Sequence, residues 1–149
     1  MRARLGGMAK AVTAAMVSAL CVPLLACSWL GSDPHAGLSC LDDSQECIAR
    51  RQVTLDAYLA DRDRKWVAEP ATAQAHASGV RLFAFRSRKK ELSCEELARG
   101  RREADSVARS LHGPDGRDLP PALIARATLF ASEVSKELSA EMRARRCKA

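Results

Sequence analysis

The chain has 149 residues and a formal net charge of +6, a length that suits one domain and leaves no room for a second of ordinary size. Three of the positive charges, on Arg2, Arg4 and Lys10, lie in the first ten residues, where no acidic residue accompanies them. The positive excess that remains is small, and it excludes the dense basic stripe of a dedicated nucleic-acid-binding protein.

The first 26 residues have the pattern of an export signal. Residues 11–26 carry no charged side chain and follow the basic start of the chain, which is the order of a secretory signal peptide. The uncharged stretch is short for a permanent membrane span, which needs about 20 apolar residues, and Pro23 lies near its end. We therefore predict that residues 1–26 direct export and are then removed.

The apolar stretch ends in Leu24, Leu25, Ala26 and Cys27. This quartet resembles the lipobox of bacterial lipoproteins, which has an aliphatic residue three positions before the cysteine and a small residue directly before it. The resemblance implies cleavage after Ala26 and acylation of the Cys27 sulfur, often with a further chain on the new amine, and two or more acyl chains hold a protein stably on a membrane. In the alternative, a plain signal peptide, Cys27 is an ordinary thiol.

The residue directly after the lipobox cysteine indicates which membrane a Gram-negative lipoprotein is delivered to. Gram-negative lipoproteins with Asp at that position stay at the inner membrane, whereas this chain has Ser28. The resemblance thus implies the periplasmic face of the outer membrane, with an inner-membrane or a soluble periplasmic location as alternatives. Residues 27–39 are rich in Gly, Ser, Asp and Pro and are predicted to be a flexible tether that extends about 45 Å at most.

Residues 40–149 are predicted to form an all-α domain of three to four helices. A first helix is expected over residues 44–67, capped by one of the polar residues at 42–44. Its expected buried stripe comprises Ile48, Leu55, Leu59, Arg62 and Trp66. Pro70 ends this helix, and residues 71–78 form a short helix closed by Gly79.

Residues 80–86 contain Phe83 and Phe85 and are ambiguous between a strand and a helical turn. Because no other stretch of the chain offers a partner strand, we interpret them as helical and assign both rings to the core.

Two longer helices complete the expected domain. Ser93 followed by Glu96 is the pattern of a capping box, and it predicts a helix that runs to Leu111. Residues 112–119 form a loop, and Pro120 and Pro121 suit the first turn of a last helix over residues 121–146, which would be about 39 Å long.

Four cysteines follow Cys27 in the chain, an even number that in an exported protein predicts two disulfides. They are Cys40, Cys47, Cys94 and Cys147. All three pairings are open from the sequence, and antiparallel packing of the first and last helices would favour Cys40–Cys147 with Cys47–Cys94. The closely spaced cysteine pairs of zinc or redox sites are absent, so metal or redox chemistry is the less favoured interpretation.

Familiar catalytic patterns are absent from the sequence. It has no Gly-x-Ser-x-Gly turn, Walker loop or dinucleotide-binding glycine motif, and His35, His76 and His112 lie in no motif that positions a base or a metal. We expect no enzymatic activity, no cofactor and no small-molecule substrate. A small periplasmic enzyme or an accessory factor of an envelope complex, with an unfamiliar site, is the alternative.

Two basic clusters remain to be explained. The preferred interpretation is solvated charge that also complements a helix end, and the alternative is contact with anionic lipid head groups or an acidic envelope polymer. The clusters are Arg86, Arg88, Lys89 and Lys90, and Arg143, Arg145, Arg146 and Lys148. The chain is accordingly predicted to be a structural or interaction module, held on its membrane through Cys27, whose partner is an envelope protein or anionic polymer and not a nucleic acid.

Overall fold

The computed structural model describes residues 33–148, and within that range it is built from helices with no strand. The predicted all-α class is confirmed, but the helices of the described residues number five instead of three to four, because the ambiguous segment after Gly79 forms a helix of its own. They are α1 (Gln45–Ala60), α2 (Ala73–Ser78), α3 (Val80–Arg88), α4 (Cys94–Leu111) and α5 (Pro121–Ala144). The predicted export signal, the lipid site at Cys27 and the first part of the tether lie outside the described residues.

Helices α4 and α5 form an antiparallel hairpin that is the most extensive helix pairing in the described residues. Ser93 accepts a hydrogen bond from the Glu96 amide at 3.2 Å, and the Glu96 carboxylate accepts one from the Ser93 amide at 2.7 Å, so the predicted capping box is confirmed. Pro121 occupies the first turn of α5. The facing apolar side chains are fully or almost fully buried: Leu97, Val107, Leu111, Leu123, Val134 and Leu138.

Helix α1 is shorter than the sequence pattern predicted, ending at Ala60 instead of residue 67. The Asp61 carboxylate accepts hydrogen bonds from the Asp63 amide at 3.0 Å and the Lys65 amide at 2.8 Å. These bonds offer the backbone an alternative to the helical ladder, and Arg64 then adopts a left-handed conformation with φ 51°. The chain therefore turns into a short 3-10 helix, Lys65–Ala68, that directs Trp66 inward.

The buried face of α1 also differs from the expected stripe. The helix buries Cys47, Thr54 and Tyr58, whereas Ile48 is 44% exposed. The Thr54 hydroxyl accepts a hydrogen bond from the Gly37 amide at 2.9 Å, and this bond fixes which side of α1 faces inward. Residues 36–39, which the sequence pattern assigned to the tether, form a 3-10 turn packed on that side.

Gly79 joins α2 to α3. Its left-handed backbone, with φ 72°, closes α2 as predicted and begins α3 without a break, a conformation that glycine adopts without steric cost. The helical interpretation of residues 80–86 is confirmed and Phe85 is buried, but the assignment of Phe83 to the core is wrong because that ring is 46% exposed. Once its neighbours 82, 84 and 85 face the core, position 83 points away from it.

An aromatic cluster connects α1, the 65–68 turn and α3. The Trp66 ring stacks on Tyr58 with 5.0 Å between centroids and meets Phe85 edge-on at 4.7 Å. Its indole N–H donates to the Tyr58 carbonyl at 3.2 Å. The cluster attaches α1 to the rest of the domain.

Two disulfides are confirmed, but their pairing is Cys40–Cys47 and Cys94–Cys147, with Cα separations of 5.2 and 5.4 Å. The favoured pairing of Cys40 with Cys147 and Cys47 with Cys94 is wrong. It required α1 to lie antiparallel to α5, whereas the antiparallel partner of α5 is α4, so Cys147 meets the start of α4. Cys40 turns back over α1 and meets its first turn.

Candidate interaction surface

Most of the first predicted basic cluster is engaged within the domain. Arg86 and Lys89 both reach the Glu137 carboxylate on α5, at 2.7 and 2.5 Å, and the hydrogen bond from Lys89 holds the pKa of Glu137 below its ordinary value. Arg88 donates to the carbonyls of Leu59 and Asp61 at the end of α1, at 3.1 and 2.9 Å. These three residues clamp α3 to its neighbours.

The second basic cluster lies at the end of α5 and is more open. Arg145 donates to the carbonyl of Leu92. Arg143, Arg146 and Lys148 are exposed, and none of the three makes an ion pair within residues 33–148. The structure thus separates the two clusters by their use: the first is mostly tied to helix packing, while the second keeps free charge at the surface.

One arginine lies inside the domain. Arg81 is 2% exposed; its guanidinium bonds the Glu103 carboxylate on α4 at 2.7 and 2.8 Å and the carbonyls of Trp66 and Glu69 at 2.9 and 3.0 Å. Burial by itself lowers the pKa of Arg81, but the Glu103 carboxylate more than offsets this and raises it. The group is fully partnered, so its role is to hold α3, α4 and the 65–68 turn together.

His76, one of the three histidines considered as functional residues, is buried in α2. Neither ring nitrogen has a hydrogen-bond partner among the described residues, and burial lowers the pKa of the imidazole. The side chain therefore packs as a neutral ring. The other two lie outside the core: His35 approaches the Tyr58 hydroxyl at 3.4 Å, and His112 ends α4 at the surface.

An open apolar groove runs between α1 and α3, and we call it the α1–α3 groove. Its volume is about 260 Å³. Ile48 and Phe83, both nearly half exposed, face it. The remaining lining residues are Arg51, Gln52, Leu55, Ser78, Gly79 and Val80.

Local interactions hold both walls of the groove in place. On α1, the Arg51 guanidinium donates to the carbonyls of Cys40 and Asp42 at 3.2 and 2.8 Å. On α3, the Phe83 ring stacks on Phe130 of α5 with 6.4 Å between centroids. The groove is consequently a preformed surface with an apolar centre and one polar edge.

A second apolar depression, of about 610 Å³, lies on the outer face of α5. Leu129 is 66% exposed there, next to Ile124 and Pro121. Apart from His112, every residue that lines this depression belongs to α5, whereas the α1–α3 groove has walls from two helices.

The described residues show neither a membrane-spanning helix nor a metal site. Across residues 33–148, no helix is both long and apolar enough to cross a bilayer. The same residues hold no group of three or more His, Cys, Asp or Glu side chains able to bind a metal ion together.

Comparison with protein-family models, with curated proteins and with solved structures finds no match to this chain. The case for a function therefore depends on the residues of the chain itself.

The α1–α3 groove is the feature that the sequence pattern missed. Ile48 was placed on the buried stripe of the first helix and Phe83 in the core, so neither was expected at the surface. Ile48 and Leu55 do lie on the apolar stripe predicted for the first helix, so the pattern found the apolar residues of this groove wall. Periodicity alone could not tell that the Ile48 end of the stripe would stay uncovered.

Proposed function

We propose that this chain is a lipid-anchored cell-envelope protein that acts as an interaction module on the periplasmic face of the outer membrane, and that it binds an envelope protein through the α1–α3 groove. The observation that carries the proposal is the pair Ile48 and Phe83, exposed on opposite walls of one groove.

The exposure of these two side chains supports a binding role. Scattered apolar side chains are normal on a protein surface, but a concave site with an apolar centre and a polar edge is typical of a binding surface. Fully burying a large apolar side chain contributes about 1.5–3 kcal/mol. Because Ile48 and Phe83 are already about half buried, a partner that covers both gains about 1.5–3 kcal/mol in total. Grooves of this kind accept the apolar face of a helix or a few side chains of an extended segment.

Location is supported by two independent features of the chain. Leu24 to Cys27 resemble a lipobox, and acyl chains on Cys27 would hold the domain at a membrane. The two disulfides of the domain suit an oxidising compartment such as the periplasm.

The binding role is tested by site-specific photo-crosslinking in the native envelope. A photoreactive amino acid at Gln52 lies on the groove, whereas the same amino acid at Arg102, exposed on α4, serves as the control. We expect a discrete protein adduct from position 52 and none from position 102, with loss of the adduct when Phe83→Ser is added. Equal adducts from both positions would refute the groove as a specific binding surface. No adduct from position 52, together with a reproducible turnover of a small molecule, would favour the enzymatic alternative.

The anchor is tested separately with Cys27→Ala. We expect this variant to lose the acylated, processed form and to leave the membrane fraction. A variant that is processed and membrane-associated like the unaltered chain would refute lipidation at this residue.

A further inference from the structure

A small cavity lies where the end of α5 meets α4, and we call it the Arg101 cavity. Its volume is about 140 Å³, and its wall consists of Arg101, Ser139, Met142, Arg143 and Cys147. Cys147 is joined to Cys94 at the start of α4, so a disulfide fixes this end of the helix hairpin. The cavity therefore has a covalently held frame and two cationic side chains.

The charge of the cavity is not balanced by the residues around it. Its wall contains two guanidinium groups and no carboxylate, and neither arginine forms an ion pair within residues 33–148. Other partly buried arginines of the domain do have carboxylate partners: Arg64 contacts Glu96 at 2.8 Å and Arg81 contacts Glu103 at 2.7 Å. Arg101 thus departs from the pattern that these partly buried arginines follow.

Arg101 also has an unsatisfied donor. Its Nε atom is buried and has no hydrogen-bond acceptor among the described residues. A buried donor without a partner costs about 1–3 kcal/mol, and more when it is charged, so such a group is uncommon unless something else supplies the acceptor. A small anion in the cavity would supply this acceptor and also balance the guanidinium charge.

We propose that the Arg101 cavity binds a phosphate group, with Arg101 and Arg143 as its charge partners and Ser139 as a hydroxyl donor. A guanidinium presents several N–H donors in a planar fork that matches phosphate oxygens. Two such groups and a hydroxyl supply more donors and more charge than the two oxygens and single charge of a carboxylate require. Arg146 and Lys148 are the chain neighbours of the cavity residue Cys147 and are exposed. Their charges raise the local positive potential.

The same donors would recognise a phosphate group from either of two sources, the head group of a phospholipid or free inorganic phosphate. Binding here does not depend on acylation of Cys27 or on a partner in the α1–α3 groove. This proposal and the proposed function can consequently fail independently of each other.

The experiment uses the full chain with Cys27→Ala in maltoside micelles, which contain no phosphate. The side-chain Nε–H resonances of the arginines are followed by NMR at constant ionic strength while inorganic phosphate is added. Parallel titrations use acetate, and micelles that contain phosphatidic acid. Arg101→Lys, which lacks the Nε–H group, identifies the Arg101 resonance.

We expect inorganic phosphate or phosphatidic acid to shift the Arg101 resonance in a saturable manner, and acetate to bind far more weakly. Arg101→Gln should weaken binding about tenfold or more, because it removes charge-assisted hydrogen bonds. Arg143→Gln, a change at an exposed position, should also weaken binding. The matched control Arg102→Gln removes the same charge from an exposed site on α4 and should change affinity less than twofold.

Two results would overturn the proposal: no saturable shift with either phosphate compound, or acetate binding as tight as phosphate. An Arg102→Gln effect equal to that of Arg143→Gln would also overturn it, since it would reduce the site to general surface charge. Tighter binding of phosphatidic acid than of inorganic phosphate would support the proposal and assign the lipid head group as the source. The reverse order would support it and assign free phosphate.

Discussion

At the scale of single residues, Arg81 shows how a charge is accommodated inside a small helical domain. Its guanidinium donates hydrogen bonds to one carboxylate and two backbone carbonyls, so the cation has both a counter-charge and hydrogen bonds. Replacing both partners of such a pair by well-packed apolar residues changes the free energy of unfolding little, whereas removing one partner leaves the other charge buried without a counter-charge. The second change is therefore much more destabilising than the first.

Glu103→Gln is expected to lower the free energy of unfolding by about 3–5 kcal/mol, because it leaves the Arg81 cation inside without its carboxylate. Urea denaturation measures this change. Glu95→Gln is the matched control on the same helix, since its partner Arg99 and Glu95 itself are well exposed, and it should cost less than about 1 kcal/mol. Equal costs for the two variants would show that the Arg81–Glu103 pair behaves as a surface pair.

His76 predicts how the stability of the domain depends on pH. Burial lowers its pKa; among nearby groups, Glu103 opposes this shift and Arg81 adds to it. The unfolded chain takes up a proton on His76 as the pH falls through about 6.5, whereas the folded chain resists protonation. The unfolded state thus binds more protons, and stability decreases as the pH falls below that value.

We expect the free energy of unfolding to fall between pH 7 and pH 5, and His76→Leu to flatten this dependence. Glu96 and Glu137, whose pKa values lie below the ordinary value for glutamate, stay charged in this window and do not obscure the effect. Because the imidazole makes no hydrogen bond within the described residues, the leucine variant should fold. An unchanged slope in His76→Leu would assign the pH dependence to other groups.

At the scale of elements, Gly100 in the middle of α4 shows how packing overrides helix propensity. A β-carbon at this position would lie 2.5 Å from Phe85 Cδ1, closer than any normal contact. Without that contact, replacing the glycine by alanine would stabilise the helix by about 1 kcal/mol. In this domain the Phe85 ring occupies the space, and interiors packed at crystal density give way little.

Gly100→Ala should therefore destabilise the domain instead of stabilising it, as measured by thermal or urea unfolding. The control is the same change in a Phe85→Leu background, where the smaller side chain leaves room for the new methyl group. There Gly100→Ala should be neutral or stabilising, which makes the two substitutions strongly non-additive. Additive effects would mean that Phe85 is not the cause.

The helices themselves were predictable where local chemistry decides them. The capping box at Ser93 and the left-handed Gly79 act through neighbouring backbone groups, so both are visible in the sequence and both are found in the structure. The end of α1 was not predicted, although Asp61 carries the signal: its carboxylate bonds the two following amides. The apolar periodicity continues to Trp66, so it predicted a longer helix and outweighed the turn signal at Asp61.

At the scale of the whole molecule, the two disulfides constrain very different lengths of chain. Cys40–Cys47 closes a separation of 7 residues between the end of the 36–39 turn and the first turn of α1, whereas Cys94–Cys147 closes a separation of 53 across the helix hairpin. In the chain-entropy model these loops correspond to about 2 and about 4 kcal/mol. The hairpin disulfide should thus matter more to the global fold.

Replacing Cys94 and Cys147 together by alanine is expected to lower the free energy of unfolding more than the same double replacement of Cys40 and Cys47, by about 2 kcal/mol. Urea denaturation of the two variants checks this order, with the fully oxidised chain as reference. A larger loss from the Cys40–Cys47 pair would show that the local disulfide holds the 36–39 turn and α1 in a way that loop length does not capture.

The sequence by itself determined what local chemistry and composition control: the helical class, the caps and turns that begin and end most helices, and the presence of two disulfides. The tertiary structure decided which faces of those helices meet. It paired Cys94 with Cys147, placed Arg81 against Glu103, left Ile48 and Phe83 on an open groove, and brought Arg101 and Arg143 to one cavity. Periodicity shows that a helix has an apolar face, but the partner of that face depends on contacts between residues far apart in the chain, whose relative placement no local pattern records.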